Sequence, residues 1–233
     1  MFNLLDWIYP RHCPICDAIL PQSSGKICLC CLEKLDYVKE PCCKKCGKKI
    51  HSLQKEYCAD CEKKKHSFES GQALFTYDEK LKASIYRFKY KGRVEYAEFY
   101  GEEITKQFGD KIRAWKPDAL VPVPLHKSRE YKRGYNQSYE IAKVIGEQLK
   151  IPVRNDILLR VKKTVPQKEL DENGRQNNLK KAFKLRQNDV KLDTIIIIDD
   201  IYTTGSTVDA VAVELLHAGV QKIHYIALAI GEY

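Results

Sequence analysis

After Cys61 the chain runs for 172 residues without a cysteine, and all 10 of its cysteines lie between Cys13 and that point. A disulfide-stapled secreted protein spreads its cysteines through the fold that needs them, so this emptiness argues against that class and for metal ligation in a reducing cytosol. Long apolar runs are lacking too. The densest is Ile195 to Ile198, far short of the roughly 18 residues of a membrane span, so no membrane insertion is expected. Met1 to Pro10 carries Asp6 and has neither a basic leader nor a long apolar core, which argues against a secretory signal. The expected location is cytoplasmic. With 44% hydrophobic and 30% charged residues the chain reads as globular rather than disordered.

What is present divides near His66. Before it the chain is rich in Cys and Lys; after it come ordinary alternating elements, so residues 1–66 and 67–233 are expected as two modules. Residues 1–66 hold 12 Lys and Arg against 8 Asp and Glu, an excess that eight thiolates and two Zn²⁺ would cancel. Farther on, Arg154 to Arg186 has 10 basic and 4 acidic residues, and Gln187 to Tyr233 has 2 and 7. A basic stretch beside an acidic one suggests a site for anions such as phosphates.

Four Cys-x-x-Cys knuckles occur, Cys13/Cys16, Cys28/Cys31, Cys43/Cys46 and Cys58/Cys61, their first members 15 residues apart. Tetrahedral zinc takes four thiolates and each knuckle presents two, so the four hold two structural Zn²⁺. Turn-forming residues between Ala18 and Ile27 and between Lys48 and Tyr57 favour pairing in sequence, Cys13/16/28/31 and Cys43/46/58/61; a cross-braced pairing stays open. Cys30 and Cys42 are left over, and His12, His51 and His66 are minor alternatives as ligands. Redox chemistry would need a single knuckle after a strand, not four evenly spaced ones. Such a module folds around its metal, and chelation is expected to spare the rest of the chain.

Beyond it, strands are expected at Gln72–Tyr77, Asp118–Val121, Val153–Arg160, Thr194–Ile198 and Lys222–Ala229. Helices are expected at Glu79–Tyr90, Val94–Phe108, Asn136–Leu149 and Thr207–Ala218. The alternation predicts an α/β fold with a parallel sheet covered on both faces. Arg160 to Asn178, with Lys162, Lys163, Thr164, Gln167 and Arg175, is long for an unstructured connection and reads as a lid; its bland role is a solvated loop.

The second strong pattern spans Ile195 to Thr207. A buried strand delivers Asp199 and Asp200, then come Thr203, Thr204, Gly205, Ser206 and Thr207, and a helix begins. Backbone N–H groups near a helix N-terminus bind phosphate, the hydroxyls add donors, and Gly205 allows close approach. Two carboxylates facing that phosphate would repel it; they suit sugar hydroxyls or a metal's water shell. The pattern therefore reads as a site for a phosphorylated sugar. A lone acidic pair would be only a strand end and a helix cap.

Basic residues gather elsewhere in the sequence. Val121-Pro122-Val123-Pro124 stiffens a strand's C-terminal end, where open α/β sheets bind ligands. Arg129 and Arg133 follow, four apart and so on one helical face, with forked donors suited to a diphosphate; their bland role is surface ion pairing with Glu130 or Glu140. Lys89, Tyr90 and Lys91 combine charge with an aromatic ring, a combination that stacks bases and neutralises nucleic-acid phosphate. The alternative for Tyr90 is a core or rim residue.

The Ile195–Thr207 stretch resembles the 5-phosphoribosyl-1-diphosphate (PRPP) loop of type I phosphoribosyltransferases. That resemblance implies Mg²⁺ and transfer of a ribosyl phosphate to a nitrogen nucleophile, with pyrophosphate leaving. Taken in order, the double Cys₄ module, Lys89-Tyr90-Lys91-Gly92, Val121 to Leu125, Arg133 to Gln137, Thr164 and Gln167 with later Arg175 and Asn178, and the PRPP loop resemble the ComF family of competence-related proteins. The family implies single-stranded DNA handling during natural transformation beside a helicase-like ComF partner. An ordinary phosphoribosyltransferase acting on a nucleobase is the alternative, although no nucleobase site is legible.

Overall fold

Four successive isoleucines, Ile195 to Ile198, are wholly buried, which requires a central strand covered on both faces. The computed structural model describes residues 10–21, 25–162, 182–186 and 192–231. Its main sheet contains β1 (Ser70–Thr76), β2 (Ala119–Pro122), β5 (Thr194–Tyr202) and β6 (Lys222–Ile230), ordered β1-β6-β5-β2 and parallel throughout. A separate antiparallel pair joins β3 (Leu158–Arg160) to β4 (Phe183–Leu185). The described helices are α1 (Leu29–Leu32), α2 (Ala59–Lys63), α3 (Glu79–Tyr90), α4 (Tyr96–Trp115), α5 (Lys127–Arg133), α6 (Gln137–Leu149) and α7 (Ser206–His217). None is long and apolar enough to cross a membrane.

The period of two along a strand sorts the core into two layers. Ile196 and Ile198 join Leu120, Ile226 and Leu228 beneath residues of α3, α4 and α6. Ile195 and Ile197 join Ala119, Val121, Ile223 and Tyr225 beneath α7 and the β3–β4 pair. Each buried isoleucine contributes about 1.5–3 kcal/mol by removal from water.

Two elements outrun their expected ends. α4 continues through Gly109 to Trp115 because Ile112 is fully buried beneath it; Lys116, left-handed at φ 48°, then closes it. β5 continues through Asp199 and Asp200 because β6 keeps pairing alongside, Asp199 with Ala227 and Tyr202 with Ile230. Conversely, Val153 makes only a parallel bridge to Leu120, and the strand proper begins at Leu158. Of the expected lid at 160–178, Arg160 ends β3, and residues 163–178, with Thr164, Gln167, Arg175 and Asn178, lie outside the described residues.

The core does not stop at residue 66. Cys13, Ile15, Leu20, Ile27 and Cys31 pack into the layer under α3 and α4. Cys43, Cys46, Ile50 and Cys58 pack into the opposite layer. Between them, residues 36–38 run antiparallel to β1: Tyr37 bridges Phe75, Val38 N–H donates to Leu74 O (3.0 Å) and Thr76 N–H donates to Asp36 O (2.9 Å). This segment covers the sheet's outer edge, which would otherwise offer unpaired backbone groups, and the two cysteine groups straddle that edge, one on each face.

Candidate functional site

The cysteines gather in sequence order. Cys13, Cys16, Cys28 and Cys31 form one group and Cys43, Cys46, Cys58 and Cys61 the other, with all ligand atoms of a group within 4.8 Å of one another. No disulfide links any of the ten. The Sγ–Sγ separations are 3.5 Å for Cys13–Cys28, 3.7 Å for Cys16–Cys28 and 3.6 Å for Cys46–Cys58. A tetrahedron with Zn–S near 2.3 Å has edges of about 3.8 Å, so both donor sets fit zinc. Cys30 is exposed, and Cys42 instead donates to Lys39 O (3.3 Å); neither belongs to a group.

The two carboxylates arrive at the C-terminal end of β5. Asp199 is buried, and its Oδ1 accepts from Asp200 N–H (2.9 Å) and Ser138 Oγ (3.5 Å). Burial, reinforced by the charge of Asp200, pushes its carboxyl up to about 7, against the pull of Lys89 and Arg160. Asp200 pairs with Lys89 Nζ at 2.7 Å, both side chains only 16% exposed. The chain then turns through half-buried Thr203 and Thr204. Gly205 caps α7 at φ 76° without a side-chain cap hydrogen bond. A Cβ there would lie 2.5 Å from Tyr202 Oη and 2.9 Å from His66 Cε1, so only glycine fits. Thr204 Oγ1 and Ser206 Oγ share a hydrogen bond (2.8 Å); Thr207 follows in the first turn.

Arg129 and Arg133 lie on α5, beyond the C-terminal end of β2. Arg133 donates to Gln137 Oε1 (2.8 Å) and Tyr90 Oη (2.9 Å), with its guanidinium 4.8 Å from the Tyr90 ring centre. Arg160, on β3, has its guanidinium pushed down to about 10 by burial, then by the charge of Arg129; Asp199, Arg133 and Asp200 also act on it. The structure thus brings Arg160 within electrostatic reach both of the acidic pair and of Arg129 and Arg133. Beside them opens a cleft of about 680 Å³, lined among others by Pro124, Tyr135, Asn136, Tyr139 and Arg160.

The grouping of Lys89, Tyr90 and Lys91 does not hold together in space. Successive helical residues point about 100° apart, and here Lys89 turns inward to Asp200 while Tyr90 and Lys91 stay exposed. Tyr90 stands half-exposed beside Tyr86, ring centres 5.1 Å apart. His66, considered above as a zinc ligand, pairs through Nδ1 with Asp209 Oδ2 (2.9 Å). In the sequence Ser138 carries no separate signal, and Gln137 and Arg160 are marked only as ends of the Arg133–Gln137 motif and of the Arg160–Asn178 region. The four-residue spacing of Arg133 and Gln137 was a usable signal; the approach of β3 to the acidic pair had none.

Residues 4–62 match the family model described as a double zinc ribbon domain. Over 158 residues the chain is 34% identical to competence protein F of Haemophilus influenzae, covering 66% of this chain and 69% of that protein. It is 30% identical to competence protein ComFC of Bacillus subtilis over 64% of this chain and 58% of that one. With DNA utilization protein YhgH of Escherichia coli K12 it shares 36% identity over 46% and 47%; the matches to these last two thus span about half their lengths. Among solved structures, a purine phosphoribosyltransferase from Pyrococcus horikoshii matches at a TM-score of 0.30 and 18% identity, covering 59% of this chain and 73% of that one.

Proposed function

Because the chain belongs to the ComF family, we propose that it serves DNA uptake in natural transformation by binding PRPP or a related sugar phosphate, with Mg²⁺, together with single-stranded DNA. The names of its relatives, competence protein and DNA utilization protein, support the process. The observation that carries the ligand is the Asp199–Asp200 pair running into the glycine-capped N-terminus of α7, with Arg160 in electrostatic reach of the pair and of Arg129 and Arg133. Asp199 and Asp200 accept hydrogen bonds from ribose hydroxyls, residues 203–207 hold the 5-phosphate, and the arginines face the diphosphate. Bound Mg²⁺ would neutralise diphosphate charge. Lys89 occupies Asp200, so a ribose hydroxyl must share or displace it.

DNA is read as crossing the exposed strip of Tyr86, Tyr90 and Lys91 beside Arg133, where rings stack on bases and cations meet phosphates. The helicase-like partner expected of the family would act on the same DNA.

Calorimetry with PRPP and Mg²⁺ tests the ligand. Replacing Asp199 and Asp200 together by Ala should weaken binding about 100-fold, the loss of two charge-assisted contacts; parental affinity in that variant would refute the assignment. Fluorescence anisotropy across a salt series tests DNA, with Tyr90→Ala and Lys91→Glu weakening binding and salt doing the same.

The 680 Å³ cleft beside Arg160 favours a second reading, transfer of the ribosyl phosphate to a nitrogen acceptor seated there. Pyrophosphate release with a free nucleobase, and no DNA binding at low salt, would make that the better account.

A further inference from the structure

The loop at 203–207 is fastened from outside. Lys64 Nζ donates to Thr204 O (3.2 Å) and pairs with Asp209 Oδ2 (3.3 Å) in the first turn of α7. Asp209 also accepts from Ser67 N–H (3.0 Å) and meets His66 Nδ1. An acidic residue in a first turn commonly serves its own helix's N–H groups; this one is turned to residues 64–67. The buried His66 ring lies against Gly205 and stacks on Phe68 at 4.8 Å. Phe68 meets Tyr225 edge-on at 5.0 Å, Tyr225 stacks on Tyr202 at 4.6 Å, and Tyr225 Oη donates to Cys46 O (2.5 Å). Both routes lead back to the second zinc group: one from Cys61 along the chain to Lys64, the other through Cys46. The first group has no such route among these contacts. Its ties run to α3 and to the start of α4, as in Arg87 donating to Ile15 O and Tyr96 donating to Asp17.

We infer that Lys64, acting with His66 and Asp209, is a positioning residue that fixes the phosphate loop to the second zinc centre. The loop is thereby held through a carbonyl and a carboxylate, while α7 keeps an N-terminus without a side-chain cap. Metal in the second centre then governs the loop, and metal in the first does not. The inference rests on the phosphate-binding reading for its consequence, but the fastening itself is read without any ligand.

The test uses the full-length zinc-loaded chain. Amide hydrogen exchange of residues 204–208, without ligand, should accelerate about tenfold in Lys64→Ala, the loss of one charge-assisted contact. Zinc content should stay at that of the parent, and Lys64→Arg should restore slow exchange. Cys58→Ser should accelerate the same amides; Cys28→Ser should not. PRPP affinity with Mg²⁺ should fall about tenfold in Lys64→Ala and recover in Lys64→Arg. Unchanged exchange in Lys64→Ala, no rescue by Arg, or equal loosening by Cys28→Ser would overturn the inference. If exchange responds as expected while the parent binds no PRPP, the ligand reading fails and the fastening stands.

Discussion

Asp17 in the first zinc ribbon and Gly47 in the second close the same turn. Each lies four residues after the first cysteine of its knuckle, left-handed at φ 64° and 68°, with its N–H donating to that cysteine's carbonyl at 2.9 and 2.8 Å. Their surroundings differ. Asp17 reaches out to Arg93 (2.9 Å) and Tyr96 (2.6 Å), fastening the first ribbon to the start of α4. At Gly47 there is no room to reach: a Cβ would lie 2.9 Å from Gly71 O, because Gly71 N–H donates to Lys45 O (2.8 Å) and draws β1 against the turn. At this turn one ribbon is attached by a side chain, the other by backbone. Near-copies in sequence have become fixtures of opposite faces, and among the described residues the second is the one tied to the candidate phosphate loop.

The largest test of that comparison removes both metals. Since ligand cysteines sit in both core layers, chelation should cost the whole chain several kcal/mol. Scanning calorimetry should then show one transition moved far down in temperature. Two transitions, the upper one unmoved, would instead restore the expectation that the α/β part stands alone.

Exchanging the two turn residues sharpens the contrast. Gly47→Asp forces a side chain onto backbone and should cost about 2–3 kcal/mol. Asp17→Gly relieves a left-handed residue while losing its ties, and should cost about 1 kcal/mol. Denaturant midpoints measure both; equal costs would erase the distinction.

Asp17 in the first ribbon and Asp199 at the end of β5 should titrate with opposite sign. Burial raises Asp17, but hydrogen bonds from Tyr96 and Arg93 outweigh it and hold its carboxyl below the usual 3.8. Its contribution is present above that value and is lost as acid protonates it in the folded state. Asp199, pushed up to about 7, behaves in reverse: its folded form takes up a proton, and stability falls as pH rises from about 4 through 7, by at most about 1.4 kcal/mol per pH unit. Thermal midpoints between pH 5 and 8 should therefore decline in the parent more steeply than in Asp199→Asn.

The smallest effect concerns the extra cysteine of the first ribbon. Cys30 Sγ lies 3.4 Å from Cys28 Sγ yet outside the four-thiolate group. Cys30→Ser should leave zinc content intact and stability within about 0.5 kcal/mol of the parent. A drop to one zinc per chain would make it a ligand.

Much of this molecule follows from local pattern. Periodicity placed α3 at Glu79–Tyr90, and alternating apolar and helical segments announced the parallel sheet, because burial on one or two faces leaves a direct imprint on residue order. The equal knuckles announced two zinc centres, since four thiolates are what the ion's geometry demands. The acidic pair leading into a glycine-bearing turn was legible for the same reason: strand, loop and helix start are contiguous. Where β5 ends was not, because β6 decides it by continuing to pair alongside.

Sequence alone thus determined what contiguous residues carry: two sets of four thiolates, and one strand in which an acidic pair leads through a glycine-bearing turn into a helix. Only the tertiary structure decided that the ribbons clasp opposite faces of the sheet, that Lys89 points to Asp200 rather than outward with Tyr90, and that His66 serves Asp209 rather than zinc. Arg160 joins Asp199 and Asp200 across some 40 residues of chain, and Lys64 joins Thr204 across 140. Such pairings leave no periodic trace, since a lysine looks the same in sequence whether solvent or a carboxylate faces it. They are selected when the two core layers close and bring buried charges within reach of one another.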